Sequence, residues 1–156
     1  MMRISRVRKH IWISATSLVV AALIVLAVVY ILPGLHRPDL KPVELRGGTV
    51  YLKLAATPES RAQGLSGVTS MRQDEGILMD FGTDDKWGIW MKDMSIPIDI
   101  LWVTKDKKVI YVVREAQPEL STAKIFTPKE PARYVIELNS GAASRYVVKV
   151  GDVIRF

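Results

Sequence analysis

The densest group of residues able to do chemistry lies between positions 87 and 99: Trp87, Trp90, Met91, Lys92, Asp93, Pro97 and Asp99. On a regular strand Trp90 and Lys92 share one face, and Met91 and Asp93 the other. Lys92, Asp93 and Asp99 beside aromatic rings supply donors and acceptors of the kind that hold a sugar, a peptide or another small polar ligand. The plainer reading is that the tryptophans fill a small core while the charges make structural ion pairs or turn bonds. Arg61, on the first turns of an expected helix, can clamp a carboxylate or phosphate, or tie its helix to an acid such as Asp99 or Glu115. Glu115 and Glu137, on expected strands, can pair with Asp99, and paired acids serve glycoside hydrolysis when they flank a cleft at roughly 5–9.5 Å. The candidate binding residues are thus Trp87, Trp90, Lys92, Asp93, Asp99, Arg61 and Glu115, with no residue assigned to catalysis.

Other chemistries lose their reagents. The chain has no cysteine, which removes thiolate nucleophiles, disulfides, zinc-cysteine sites and lipid attachment through sulfur. Its two histidines, His10 and His36, both precede the expected domain, so Ser-His-Asp catalysis and the usual transition-metal sites lack a ligand there. Asp80, Asp84 and Asp85 do not have EF-hand spacing and read better as a solvated turn than as a calcium site. No phosphate-cradling glycine loop occurs, and no cofactor or metal is expected. The net charge of +6 suggests nucleic acid only as an average. Arg3, Arg6, Arg8 and Lys9 lie in an acid-free N-terminal segment, and the other 18 of the 22 basic residues face all 16 acids, so no phosphate-neutralising stripe is left.

The elements that must position these groups read as short strands. Residues 49–55 alternate as a strand, and Thr57-Pro58-Glu59 then supplies an N-cap, a proline at the first helical position and an early acid. Gly64 or Gly67 ends that short helix. Segments 76–81, 86–91, 98–103, 108–116, 133–139 and 152–156 are apolar-rich and punctuated by turn residues. Strands 98–103 and 108–116 flank the polar break Thr104-Lys105-Asp106-Lys107 and form a hairpin, whereas 117–132, with Pro118, Pro128 and Pro131, is a long loop. Residues 140–146 make one or two helical turns. The fold class expected is mainly β, a small antiparallel barrel or sandwich with one or two short helices.

A transmembrane helix precedes it. Residues 11–32 are 22 positions without a charge, long enough at ~1.5 Å per residue to span a hydrocarbon core of roughly 30 Å. Trp12 and Tyr30 lie near its ends, as interfacial rings do. A cleaved signal peptide would have a shorter apolar run and a small-residue cleavage site, and 29–33 offers none. The basic residues before the helix place the N-terminus inside. The organisation expected is a cytoplasmic basic tail (1–10), a span (11–32), a proline-rich stalk (33–42) and an extracytoplasmic β domain (43–156) at the cytoplasmic membrane of a bacterial-type envelope.

Several segments in order resemble the prokaryotic family called domain of unknown function 192. They are Thr57-Pro58-Glu59-Ser60-Arg61-Ala62-Gln63-Gly64-Leu65, Gly76-Ile77-Leu78, Trp90-Met91-Lys92-Asp93-Met94 and Ile96-Pro97-Ile98-Asp99-Ile100. Glu115-Ala116-Gln117-Pro118, Tyr134-Val135-Ile136-Glu137-Leu138 and Val150-Gly151-Asp152 complete the series. The resemblance implies a compact β-barrel or sandwich domain, often behind a signal or anchor segment, and no established reaction. The chain departs from the family at Asp93, where Asn is common, and in lacking the cysteines some members place around 120–130. The function expected is a membrane-anchored, non-catalytic binding or interaction module of the cell envelope, whose partners are the membrane and an envelope polysaccharide or protein. The alternative is a carboxylate-dependent hydrolase acting on envelope polysaccharide.

Overall fold

The computed structural model describes Thr16 and residues 19–25, 37–120 and 124–156. The chain divides into two units, 1–37 and 38–156. In the first, Thr16 and residues 19–25 are helical and exposed. The rest of the expected tail and span, and the stalk up to residue 36, lie outside the described residues. No helix among the described residues is long and apolar enough to cross a membrane.

The second unit is built on a six-stranded sheet. Strands β1 (Leu40–Leu45) and β2 (Gly48–Ala55) form an antiparallel hairpin. β1 takes up Leu40, Lys41 and Pro42, which the sequence had suggested for the stalk. Pro42 is tolerated because β1 is an edge strand with ladder bonds on one side only. Helix α1 (Pro58–Gln63) follows, with the capping the sequence implied. Ser60 N–H donates to Thr57 Oγ1, Thr57 N–H donates to Ser60 Oγ, and Gly64 ends the helix at φ 50°.

The chain then enters β3 (Glu75–Asp85), β4 (Ile89–Trp90), β5 (Ile98–Val103), β6 (Val109–Ala116), β7 (Ile125–Phe126) and β8 (Ala132–Asn139), and ends after helix α2 (Ala142–Arg145). The sheet order is β1-β2-β3-β8-β5-β6, and β4 pairs with β7 in a separate two-stranded ribbon. The β5–β6 hairpin forms as expected. The all-antiparallel expectation fails at β2 and β3, which run parallel. The helix-bearing connection 56–74 carries the chain back along the sheet before β3 begins, which is the crossover a parallel pair requires. The sheet is therefore mixed.

Nor is it a closed barrel. The segment 152–156, expected as a strand, makes only two isolated bridges, Glu44 to Arg155 on β1 and Lys108 to Val153 beside β6. One bridge on each edge laces the sheet without completing a ladder. Segment 86–91 likewise shrinks to Ile89–Trp90, and the 117–132 loop contains β7 and a 3-10 turn at Pro118–Leu120.

The central strands are covered on both faces. On one, Leu78, Leu101, Ile136 and Leu138 pack with Val50, Ala143 and Ile154. On the other, Ile77, Met79, Ile100, Trp102 and Val135 pack under Leu65, Ile89, Met91 and Phe126. All six residues of β5 are buried, which is why its sequence runs apolar almost without alternation.

Candidate functional site

One residue on β8 breaks the apolar pattern. The run Tyr134-Val135-Ile136-Glu137-Leu138 places a carboxylate in the middle of a core strand. Glu137 pairs in register with Ile77 of β3 and Ile100 of β5, so its side chain leaves the sheet on the Trp102 face. It is 3% exposed. Burial raises its carboxyl from the ordinary 4.5 to about 7, against the opposing effect of the Leu65 backbone N–H that donates to it. Its Oε2 has no hydrogen-bond partner. Buried polar atoms are nearly always paired, so an orphaned carboxylate oxygen calls for an explanation.

Oε2 itself is shut off from solvent, beneath a cleft that the residue helps to line. A cleft of about 270 Å³ has Glu137 among its lining residues, together with the end of α1, Met79 and Phe81 of β3, Trp87, Trp90 and Met94. Gly64, at φ 50°, packs close against Met79 and Glu137. A Cβ there would stand 3.0 Å from Met79 Cε and 3.3 Å from Glu137 Oε2.

The walls are fixed by the surrounding elements. Trp87 stacks on Phe81 at 4.3 Å between centroids and 13° between planes. Its indole donates to Thr83 O, and its own carbonyl accepts from the core residue Trp102. Arg61 lies over the other end of the wall, its Cζ 5.0 Å from the Phe81 ring centroid. Its Nη1 donates to Ala56 O at 2.6 Å and Asp80 O at 2.9 Å. Arg61 thus ties its helix down through carbonyl oxygens, neither to Asp99 nor to Glu115. Trp90, 51% exposed, forms the rim.

The other candidates fall elsewhere. Lys92 and Asp93 are not on a continuing strand, because β4 ends at Trp90 and both residues sit in a turn. Asp93 has φ 56°, a conformation Asn and Asp adopt more readily than most residues. The turn is stapled to the loop after α1. Ser66 Oγ donates to Lys92 O at 2.7 Å, and Gly67 N–H donates to Asp93 O at 2.9 Å. Lys92 and Asp93 line a shallower depression of about 430 Å³ next to the cleft, and the two concavities share Ala62, Gln63, Ser66 and Trp90.

Asp99 is fully buried and structural. Its Oδ1 accepts from Glu115 N–H at 2.8 Å and its Oδ2 from Ala143 N–H at 2.7 Å, which fastens β6 and the start of α2 to β5. It pairs with Leu138, one position along from Glu137, and strand alternation sends the two side chains to opposite faces. Glu115 is exposed at φ 52° and does not line the cleft. The three-way grouping of Asp99, Glu115 and Glu137 is therefore not assembled. Asp80 is engaged by Gly82 N–H and by Arg133 Nε at 3.2 Å.

Glu137 is the site residue that sequence reasoning undervalued, having read it only as a partner for Asp99. The available signal was a lone acid inside an apolar strand. Met79, Phe81 and Met94 carried no signal at all, since nothing in their spacing points to a cleft.

Comparison with known proteins adds a family and a fold. The family model DUF192, described as Uncharacterized ACR, matches residues 42–156. A crystal structure from Sinorhizobium meliloti 1021, described as a candidate transcription regulator, is 29% identical with a TM-score of 0.68. That match covers 77% of this chain and 97% of the other. A protein of unknown function from Novosphingobium aromaticivorans DSM 12444 is also 29% identical, with a TM-score of 0.69, covering 75% of this chain and 85% of the other. No curated protein matches the chain.

Proposed function

This chain belongs to the DUF192 family, and from that premise we propose that it is a membrane-anchored binding module whose domain captures a small polar ligand in the cleft over Glu137. The observation that carries the reading is the orphaned Oε2 of a buried carboxylate in a residue that lines that cleft. A ligand hydroxyl, amide or amine donating to Oε2 satisfies an acceptor whose isolation costs about 1–3 kcal/mol or more. The aromatic walls of Phe81, Trp87 and Trp90 supply apolar contact area around that single polar anchor, the usual division of labour in a ligand site.

A binding role is favoured over hydrolysis because Glu137 is alone. Among the described residues lining the cleft no second acid faces it, and two-carboxylate glycoside hydrolysis needs one. A nucleic-acid-binding role is disfavoured, because the near balance of charge after residue 36 gives no footprint for a phosphate backbone.

The test uses the full-length chain in detergent and a library of small polar fragments, read by NMR at the indole N–H signals of Trp87 and Trp90. Donor-bearing fragments are expected to shift both signals, to lose that effect in Glu137→Ala, and to keep it in Glu115→Ala. Fragments that ignore these indoles, or that bind Glu137→Ala equally well, would remove the proposal.

Anchoring rests on the uncharged 11–32 segment, within which the described helical residues 19–25 expose Val19, Val20, Leu23, Ile24 and Val25. The orientation, N-terminus inside and domain outside, rests on the four basic residues at the front. The chain is expected to stay with membranes through alkaline washing, and a phosphatase fused to its C-terminus is expected to be active. Release into the wash, or an inactive fusion, would refute the topology.

A further inference from the structure

We propose that the ligand is an oligosaccharide whose chain crosses Trp90, with one sugar over Glu137 and the following sugars in the depression beside Lys92 and Asp93. The inference rests on the ligand reading above and deepens it. The two concavities adjoin, because Ala62, Gln63, Ser66 and Trp90 line both. Their volumes, about 270 and 430 Å³, together fall within the range of about 300–1,000 Å³ that ligand sites occupy.

The chemistry along the groove changes in the way a glycan requires. At the Glu137 end a carboxylate oxygen without a partner lies buried beneath the cleft. In the middle stands the indole of Trp90, half exposed. An indole combines a large rigid apolar face with a polar edge, which suits the apolar face and hydroxylated rim of a pyranose ring. At the far end Glu59, Gln63, Lys92 and Asp93 offer donors and acceptors of both signs around a solvated rim.

The groove is also built in advance. The Ser66 to Lys92 and Gly67 to Asp93 hydrogen bonds lock the two sides of the depression together, and Gln63 Nε2 donates to Ser66 O at 2.7 Å. A preformed surface lowers the ordering cost of binding a flexible chain. A peptide held in extended form draws its affinity from a strand edge. Here the strands β3, β4 and β8 contribute side chains to the walls, and the rest is a helix end, a loop and a turn.

The experiment uses the full-length chain in a detergent without a sugar headgroup. Calorimetric titrations compare N-acetylglucosamine, glucose and galacturonic acid with their linear tetramers, and with tetra-alanine. At least one tetramer is expected to bind about tenfold or more tightly than its own monosaccharide, a difference of roughly 1.4 kcal/mol. Trp90→Ala is expected to abolish binding of that tetramer. Lys92→Ala is expected to reduce the tetramer to about the affinity of the monosaccharide.

Equal affinity for monomer and tetramer would overturn the extended groove and leave the small-ligand reading intact. Absence of all saccharide binding, with fragments still shifting the Trp87 and Trp90 signals, would overturn the oligosaccharide class alone. Silence in both experiments would overturn both. Preference for tetra-alanine would replace the glycan with a peptide.

Discussion

Glu137 couples the cleft to pH. Its carboxyl titrates near 7 in the folded chain and near the ordinary 4.5 when unfolded. Between those values the native state holds the proton more tightly, so stability is fullest below about pH 4.5 and falls as pH rises through 7. A shift of this size corresponds to about 3 kcal/mol for a fully buried group. Urea denaturation of the wild type is expected to show this loss between pH 5 and 8, and Glu137→Gln is expected to flatten it. A wild-type profile that does not decline over that range would contradict the assignment. Asp99 makes the opposite case, a carboxylate whose two oxygens are fully used by Glu115 N–H and Ala143 N–H. Asp99→Ala leaves both donors unpaired and is expected to destabilise the chain by about 2–5 kcal/mol. Glu115, exposed at φ 52°, is expected to gain up to about 1 kcal/mol on Glu115→Gly. Nothing in the spacing of Asp99, Glu115 and Glu137 separates these roles, which follow from strand parity and from what each oxygen meets.

At the scale of elements, local sequence carried α1 almost completely, because a capping box, a proline at the first helical position and a C-terminal glycine act within one turn or so of the residues concerned. The β5–β6 hairpin was legible for the same reason. The parallel placement of β2 beside β3, and the insertion of β8 between β3 and β5, were not, since pairing partners distant in sequence leave no local mark. Gly76 shows what such a pairing demands. A Cβ there would collide with the backbone carbonyl oxygen of Glu137 and press on Leu138 and Leu52. Gly76→Ala is therefore expected to cost at least about 3 kcal/mol, at the upper end for overpacking, and to disturb the cleft through β8. Gly67, at φ 79° with nothing within 4 Å of a Cβ, serves as the control. Gly67→Ala carries only the backbone penalty of about 1–2 kcal/mol. Similar midpoints for the two variants in thermal unfolding would mean that the close approach at Gly76 does not matter.

Over the whole domain, the C-terminal segment replaces the missing closure of the sheet. Arg155 exchanges backbone hydrogen bonds with Glu44, Ile154 N–H donates to Lys107 O, and Val109 N–H donates to Asp152 O. Ile154 is buried in the first core, and Lys107 Nζ lies 3.7 Å from the ring centroids of both Tyr134 and Phe156. Deleting 152–156 removes all of this at once and is expected to lower the thermal midpoint by on the order of 10 °C or more. Arg155→Ala, which removes only an exposed pair with Glu44 at 3.4 Å, is expected to leave the midpoint nearly unchanged. Equal effects of the two changes would assign the stability to the ion pair in place of the lacing.

Sequence alone determined what depends on residue type and near neighbours. It indicated a mainly β domain, the ends of α1, the hairpin around 104–107, the family resemblance and a domain without cysteine or histidine. It also drew attention to Trp87, Trp90 and Arg61, because aromatic and guanidinium groups are conspicuous wherever they stand. Only the tertiary structure decided which acid lines the cleft. The value of a carboxylate is set by its burial and by the partners of its oxygens. Those depend on which face of β8 Glu137 occupies and on how closely Gly64 packs against it, and neither is written in the order of the residues.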